Sequence, residues 1–469
     1  MARRGTAGAS ETARGFQRSH AAHIRRRPSS SSVAASQGYD RAVSQRAFVL
    51  IAGGGIVGTA LAWALARRGV RDVVVADLDL AGVYASSELN AGGARATWWQ
   101  PVNIESCRVT LDFFRANAGE FGFRERGYLW LYEDASLFAT AREKRALQNQ
   151  AGLGVELLAP AEVSERFPLL DRGLGALVGA TFSPRDGLVN PNAVRAWFRR
   201  EARALGVVFR DRDYVMGVRT ARVAGRGGSL RRVEALEVVR IRRGAPADAS
   251  GVLREILTAH RIPAEAAEGE ERIECEVFVN CLGAWSALLL AKLGVPDVTE
   301  PVRRQIALVD VRREDLAPGI ALDSLGMIVL ASGLYFHPEG PHVLAGYSTP
   351  DEAPGYDFDY DGRDFFEGEI WPRLAERSSS FERCGHVRGW AGLYDVTPDC
   401  SGIAGAVRGF ANLFEAHSFT GRGVMQSYGI AVAMAALIAS GRYEGVDLSA
   451  LTRERFDDPR RFVTEDLHI

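Results

Sequence analysis

The chain has 469 residues, enough for two domains with separate cores, and 47% of them are hydrophobic. Its 57 basic and 58 acidic side chains leave a formal charge of −1 at pH 7, so charge supplies no general attraction to nucleic acid or to an anionic membrane surface. Five scattered cysteines, Cys107, Cys275, Cys281, Cys384 and Cys400, form no Cys-x-x-Cys pair and read as reduced thiols, with no zinc site and no disulfide framework.

Residues 1–45 differ in composition from the rest of the chain. Arg3, Arg4, Arg14, Arg18 and Arg25–Arg27 lie among Ser and Ala, Glu11 and Asp40 are the only acids, and no apolar secretory core is present. This composition predicts an organelle transit peptide of mitochondrial type; the alternative is a disordered tail on a cytoplasmic protein.

Phe48–Ala52 is a short apolar run suited to a buried parallel strand. Gly53-Gly54-Gly55-Ile56-Val57-Gly58 then fits G-x-G-x-x-G, and Thr59–Arg68 continues with helical spacing. Gly53, Gly55 and Gly58 would serve a tight turn, a close approach of backbone to pyrophosphate, and helix–strand contact. Ile56 and Val57 open a helix whose unpaired N–H groups favour phosphate. A second strand, Asp72–Ala76, ends in Asp77, nineteen residues beyond Gly58, where a carboxylate can accept from a ribose hydroxyl. The order strand, glycines, helix, strand, acid predicts a dinucleotide site. It does not choose between NAD and FAD, but the fingerprint occurs once, at the start of the folded chain, which favours FAD as the single redox cofactor.

Further along, Thr220–Glu271 reads as a hairpin with a loose tip, and Val277–Asn280 as a buried strand ending near Gly283. Tyr335 and Tyr347 fall on the expected strands Gly333–Phe336 and Val343–Tyr347. Phe410–Glu415 reads as another strand, Gly421 and Gly423 as a tight turn, and Val424–Ile438 as a helix. The apolar run Gly429–Ser440 is too short to span a membrane. Lysine is confined to Lys144 and Lys292.

Several stretches carry a resemblance. Ala85–Arg95, ASSELNAGGAR, looks like a segment that crosses a flavin; Phe278–Ser286, FVNCLGAWS, is similar to a "VNAAGAWS" strand and turn; Pro301–Gln305, Trp390–Asp399 and Phe419–Gly423 fit the same pattern. From Phe48 to Phe456 the sequence resembles the FAD-dependent amine and amino-acid oxidoreductases of the D-amino-acid oxidase superfamily, in the sarcosine oxidase and glycine oxidase branch. The resemblance implies an α/β fold in which a Rossmann-like FAD-binding domain is interleaved with a mixed-sheet α+β substrate domain. Residues 46–123, 189–294 and 390–469 would form the first, and 124–188 and 295–389 the second.

The resemblance also implies non-covalent FAD held by Asn90, Gly92, Gly283, Trp285, Thr420, Gly421, Arg422, Gly423 and Val424, beside the residues of the glycine turn and Asp77. Arg95 is the first candidate to grip a substrate carboxylate, because a guanidinium binds carboxylate as a bidentate fork; Arg304 and Arg422 are second choices. Tyr335 and Tyr347 would line the pocket, and His417 precedes the closing turn. Gly392 stands where some sarcosine oxidases attach flavin through cysteine, Leu344 and Met425 stand where the branch has lysines, and Arg422 replaces the histidine of F-S-G-H-G. The implied activity is hydride transfer from a small secondary or N-methyl amine or amino acid to flavin, with a quinone or electron carrier as acceptor. Two alternatives are a 2-hydroxy-acid dehydrogenase and a flavoprotein that assists assembly of respiratory complex I.

Overall fold

The computed structural model describes residues 43–225, 228–242, 246–316, 319–458, 460 and 463–465. Most of the expected transit segment lies outside these residues. Strand β1 spans Val43–Ala52, helix α1 Ile56–Arg67 and strand β2 Val73–Asp77. Val49, Leu50, Ile51 and Ala52 are all fully buried, as a strand covered on both faces requires.

The first sheet places Ile403–Ala406, Leu413–His417, Ala267–Asn280, β1, β2 and Val208–Asp211 side by side. From Leu413–His417 to Val208–Asp211 the neighbours are parallel. The chain leaves β1 towards β2 on one side, while Ala267–Asn280 flanks β1 on the other, so a topological switch point lies at the carboxyl end of β1. An antiparallel hairpin, Asp213–Gly225 with Gly228–Ile241, adds to Ala267–Asn280.

The segment expected to be a loose tip contains instead a helix, Pro246–Ala259. Leu253 and Ile256 are buried there and Leu257 packs beside them, an apolar spacing of three and four on one helix face.

The second sheet is mixed: Gly385–Val396, Glu300–Asp310, His342–Tyr347, Leu334–Glu339, Met327–Leu330, Tyr128–Tyr132, Gly179–Ser183 and Glu156–Leu158 lie in that order. Met327–Leu330 and Tyr128–Tyr132 are parallel, and the other pairs are antiparallel. Its edge strand pairs with Glu300–Asp310 as far as Glu300↔Val396. The first residues of the expected 390–469 segment therefore belong to this sheet.

The closing helix, Gly423–Ser440, is longer than the expected apolar run and is apolar enough, by length and composition alone, to cross a membrane. Here most of it is buried within the protein. Its Gly429 N–H donates to Thr110 Oγ1 of the helix Pro101–Ala116 at 3.0 Å.

Candidate functional site

A cavity of about 530 Å³ runs along the carboxyl edge of the first sheet and is walled on one side by Leu393–Asp395 of the second sheet's edge strand. Its centre is the glycine turn. Gly53 has φ +105, and a Cβ there would lie 2.2 Å from the Cys281 carbonyl oxygen; one on Gly58 would lie 2.0 Å from the Gly53 oxygen. Both positions are closed to any side chain, Gly53 by the backbone just after the strand Ala267–Asn280 and Gly58 by the turn itself.

Gly55 is different. It caps α1 in an extended conformation, with no side-chain cap, and a Cβ there meets nothing within 4 Å. The helix mouth, with its unpaired N–H groups and positive dipole end, thus opens onto free space, the requirement for a pyrophosphate.

Asp77 closes the turn from β2. Its Oδ2 accepts from Gly54 N–H at 2.5 Å and its Oδ1 from Asp79 N–H at 2.6 Å. Burial raises its pKa, although these two N–H groups oppose the shift. Each oxygen keeps a second lone pair, the acceptor a ribose hydroxyl needs. Around it, Tyr214, Leu257, His260 and Lys292 form the wall beyond β2, and the buried Arg195 pairs with Glu88. The pre-formed cradle and the open helix mouth at Gly55 fit an adenine dinucleotide.

At the other end, the turn into the closing helix brings Thr420, Gly421, Gly423 and Val424 to the wall, beside Tyr394, Asp395 and His417. Ser418 and Thr420 adopt φ of +58 and +46, a left-handed backbone that non-glycine residues hold only when their surroundings over-determine it. Ser418 Oγ donates to Asp395 Oδ2 and also meets His417 Nδ1 at 2.6 Å.

His417 is buried, with Glu415 Oε2 at 3.1 Å and Asp395 Oδ2 at 3.8 Å. Burial alone would lower its pKa from 6.5, but the two carboxylates outweigh burial and hold it at about 9. Glu415 shows the complement: burial would raise its pKa, while His417 and Arg453 pull it down to about 2. Stability from the His417 cation is complete below 6.5 and is lost as pH rises through about 9. The melting temperature is expected to fall across that window and His417→Asn to abolish the slope; a flat profile in the parent protein would contradict the assignment.

The expected cofactor residues Gly53, Gly55, Ile56, Val57, Asp77, Asn90, Gly283, Trp285, Thr420, Gly421, Gly423 and Val424 all border the cavity. Gly58 and Gly92 stand behind it, Gly92 with its N–H donating to Asn90 Oδ1 at 2.7 Å. Four expected side chains, Arg95, Tyr335, Tyr347 and Arg422, do not border the cavity. Arg95 is 2% exposed, its guanidinium 3.4 Å from the Trp98 ring centre and 4.6 Å from that of Trp130. Burial pulls its pKa down to about 10, and it does not border the cavity. Arg422 is buried behind the closing turn and donates to the Cys400 carbonyl.

Tyr347 sits on the far face of the second sheet, where Arg373 stacks on its ring at 3.9 Å. The hairpin register explains the separation: Tyr335 lies opposite Gly346, so Tyr347, opposite Leu334, points the other way.

The face that Tyr347 misses carries Arg304, Ile306, Tyr335, Trp390 and Tyr394, by strand alternation and pairing. Arg304 is paired in register with Gly392, two residues from the cavity-lining Tyr394. Its Cζ lies 5.5 Å from the Tyr394 ring centre, its Nη1 donates to the Arg303 carbonyl at 3.0 Å, and its buried Nε has no hydrogen-bond partner. Tyr394, which borders the cavity, was not among the expected site residues, although it lay in plain view within Trp390–Asp399.

The chain is 28% identical over 442 residues to FAD-dependent oxidoreductase domain-containing protein 1 of Xenopus laevis, across 88% of this chain and 83% of that protein. It is 23% identical over 425 residues to 4-methylaminobutanoate oxidase (formaldehyde-forming) of Paenarthrobacter nicotinovorans, across 87% of this chain and 45% of that one. The crystal structure of L-proline dehydrogenase from P. horikoshii shares the fold, with a TM-score of 0.70 at 20% identity, over 88% of this chain and 98% of the other. The sequence pattern of the DAO family, FAD dependent oxidoreductase, matches residues 49–437. That span takes in the glycine turn, the second sheet and most of the closing helix, and the chain belongs to the DAO family of FAD dependent oxidoreductases.

Proposed function

We propose that this flavoprotein oxidises a small secondary or N-methyl amino acid and passes the electrons to a quinone or a protein carrier. The observation that carries the reading is Arg304, a guanidinium with an unpartnered buried Nε, on the same face of the second sheet as the cavity-lining Tyr394; Arg304 forms no salt bridge to a carboxylate among the described residues. Such a group is positioned to take a substrate carboxylate. FAD supplies the acceptor for the hydride leaving the carbon beside the substrate nitrogen; the chain's own side chains do the holding.

Burial raises the pKa of both Tyr335 and Tyr394. Their hydroxyls therefore stay protonated at neutral pH and donate to the bound carboxylate rather than acting as bases. Ile306, Leu344 and Trp390 pack with Tyr335 in one apolar cluster, which would exclude water from a substrate held there. Two relatives support a secondary amine, since 4-methylaminobutanoate and L-proline are both named in theirs.

The choice of acceptor rests on missing cations. Leu344 and Met425 are buried where the resemblance places lysines; Lys144 is on the helix Ala135–Gln150 outside the cavity, and Lys292 lies with His260 in the wall beyond β2. The reading also places the protein in mitochondria, in keeping with the arginine-rich start of the chain.

A steady-state panel of proline, sarcosine and other N-methyl amino acids, run with a water-soluble quinone and separately with dioxygen, tests the proposal. At least tenfold faster turnover with the quinone is expected. Turnover with 2-hydroxy acids alone would move the function to hydroxy-acid oxidation, for which Arg304 would serve equally, and faster turnover with dioxygen would reverse the acceptor.

A further inference from the structure

Arg422 occupies a position that ordinary folding energetics disfavour three times over. It is the N-cap residue of the closing helix, so a cation stands at the positive end of the helix dipole. Its side chain is fully buried, and its Nε and Nη2 find no hydrogen-bond partner. Its guanidinium also lies against the same indole as a second buried cation: the Trp98 ring centre is 4.1 Å from Arg422 Cζ and 3.4 Å from Arg95 Cζ.

The acids whose charge reaches Arg422 include Glu465 and Asp399, and both are committed elsewhere. Glu465 accepts from the backbone N–H groups of Trp99 and Gln100, and Asp399 forms a buried pair with Arg455 at 2.6 Å. An apolar side chain against Trp98 would avoid these penalties, since even a whole buried ion pair can often be replaced by hydrophobic residues without loss of stability. Breaks in local rules concentrate at functional or strained sites, and this one stands between two residues that border the cavity.

We propose that the Arg95–Trp98–Arg422 stack is an electrostatic plate behind the turn Thr420–Val424, and that it raises the reduction potential of the bound flavin. Arg422 lies between Gly421 and Gly423, both of which border the cavity. Two electrons and one proton entering the isoalloxazine leave it one unit more negative, and a fixed cation across one layer of backbone stabilises that product over the oxidised ring. Arg422 touches no substrate in this arrangement; it is a positioning residue that acts through the field at the closing turn. The inference rests on FAD as the cofactor and is independent of which substrate is oxidised.

The test is the two-electron midpoint potential of the flavin in the holoprotein, measured by dye equilibration without substrate, together with the melting temperature of the flavin-free protein. Arg422→Met is expected to weaken the preference for the reduced ring at least tenfold, about 30 mV lower, with no fall in melting temperature; Arg422→Lys is expected to keep the parent potential. An unchanged potential in Arg422→Met overturns the proposal. Should that variant fail to retain flavin, Arg95→Met reads the same field from the second guanidinium. A potential there equal to the parent's overturns the proposal, and a drop supports it.

Discussion

Gly55→Val is expected to fold as the parent does and to purify without flavin. The side chain would start into open space at the mouth of α1, since a Cβ at Gly55 meets no atom within 4 Å. The space it fills is the one a pyrophosphate needs to approach the helix N–H groups. We expect FAD affinity to fall at least a hundredfold, about 2.8 kcal/mol, with a melting temperature for the flavin-free protein equal to that of the flavin-free parent. Gly58→Ala is the control, for its Cβ would sit 2.0 Å from the Gly53 oxygen and should destabilise the fold itself. Flavin-to-protein absorbance ratios and thermal unfolding of both variants separate the two effects; full flavin occupancy in Gly55→Val would remove the turn from the cofactor site.

Arg304→Met should leave flavin content and potential unchanged while raising the substrate dissociation constant about a hundredfold. A charged hydrogen bond is worth about 1.5–3 kcal/mol, and a bidentate guanidinium–carboxylate pair makes two. Burial already lowers the pKa of Arg304, and a bound carboxylate would reverse that shift, so affinity and protonation support each other. Tyr335→Phe should give a smaller loss of the same kind, because it removes a neutral donor. Anaerobic titration of each variant with proline or sarcosine reads the constants directly. An unchanged constant in Arg304→Met would return the role to Arg95, despite its place between two indoles.

The dinucleotide half of the site was legible because local backbone needs dictate residue type there. Gly53, Gly55, Gly58 and Asp77 lie within 25 consecutive residues, and each answers to a turn, a contact or a hydrogen bond formed within that stretch. The substrate half depends on strands far apart in sequence. Arg304 meets Gly392 and stands near Tyr394 only through the register of two strands about 90 residues apart, so choosing it over Arg95 from residue type alone was not possible.

Tyr347 is a different case. Gly340-Pro341 is a two-residue turn joining Leu334–Glu339 to His342–Tyr347, and that turn sets Tyr335 opposite Gly346. Hairpin register therefore contained the answer that tyrosine chemistry alone obscured. The helix Pro246–Ala259 was hidden by Gly, Ala and Arg on its flanks, although Leu253, Ile256 and Leu257 carried its period. His417 drew notice as a histidine, but its partner Asp395 comes from the other sheet's edge strand, and nothing near His417 in sequence announced it.

The central claim is that a carboxylate-bearing amine reduces the flavin held at this cavity. One measurement tests it most directly: anaerobic addition of proline, sarcosine and related N-methyl amino acids to the holoprotein, monitored in the visible flavin band. The account predicts that at least one of them bleaches the band fully at one equivalent of substrate per flavin, and that Arg304→Met needs a large excess to do the same. A flavin that stays yellow with every amine and every 2-hydroxy acid, yet is bleached by dithionite, would contradict the catalytic reading and leave a role in assembling a respiratory complex in its place.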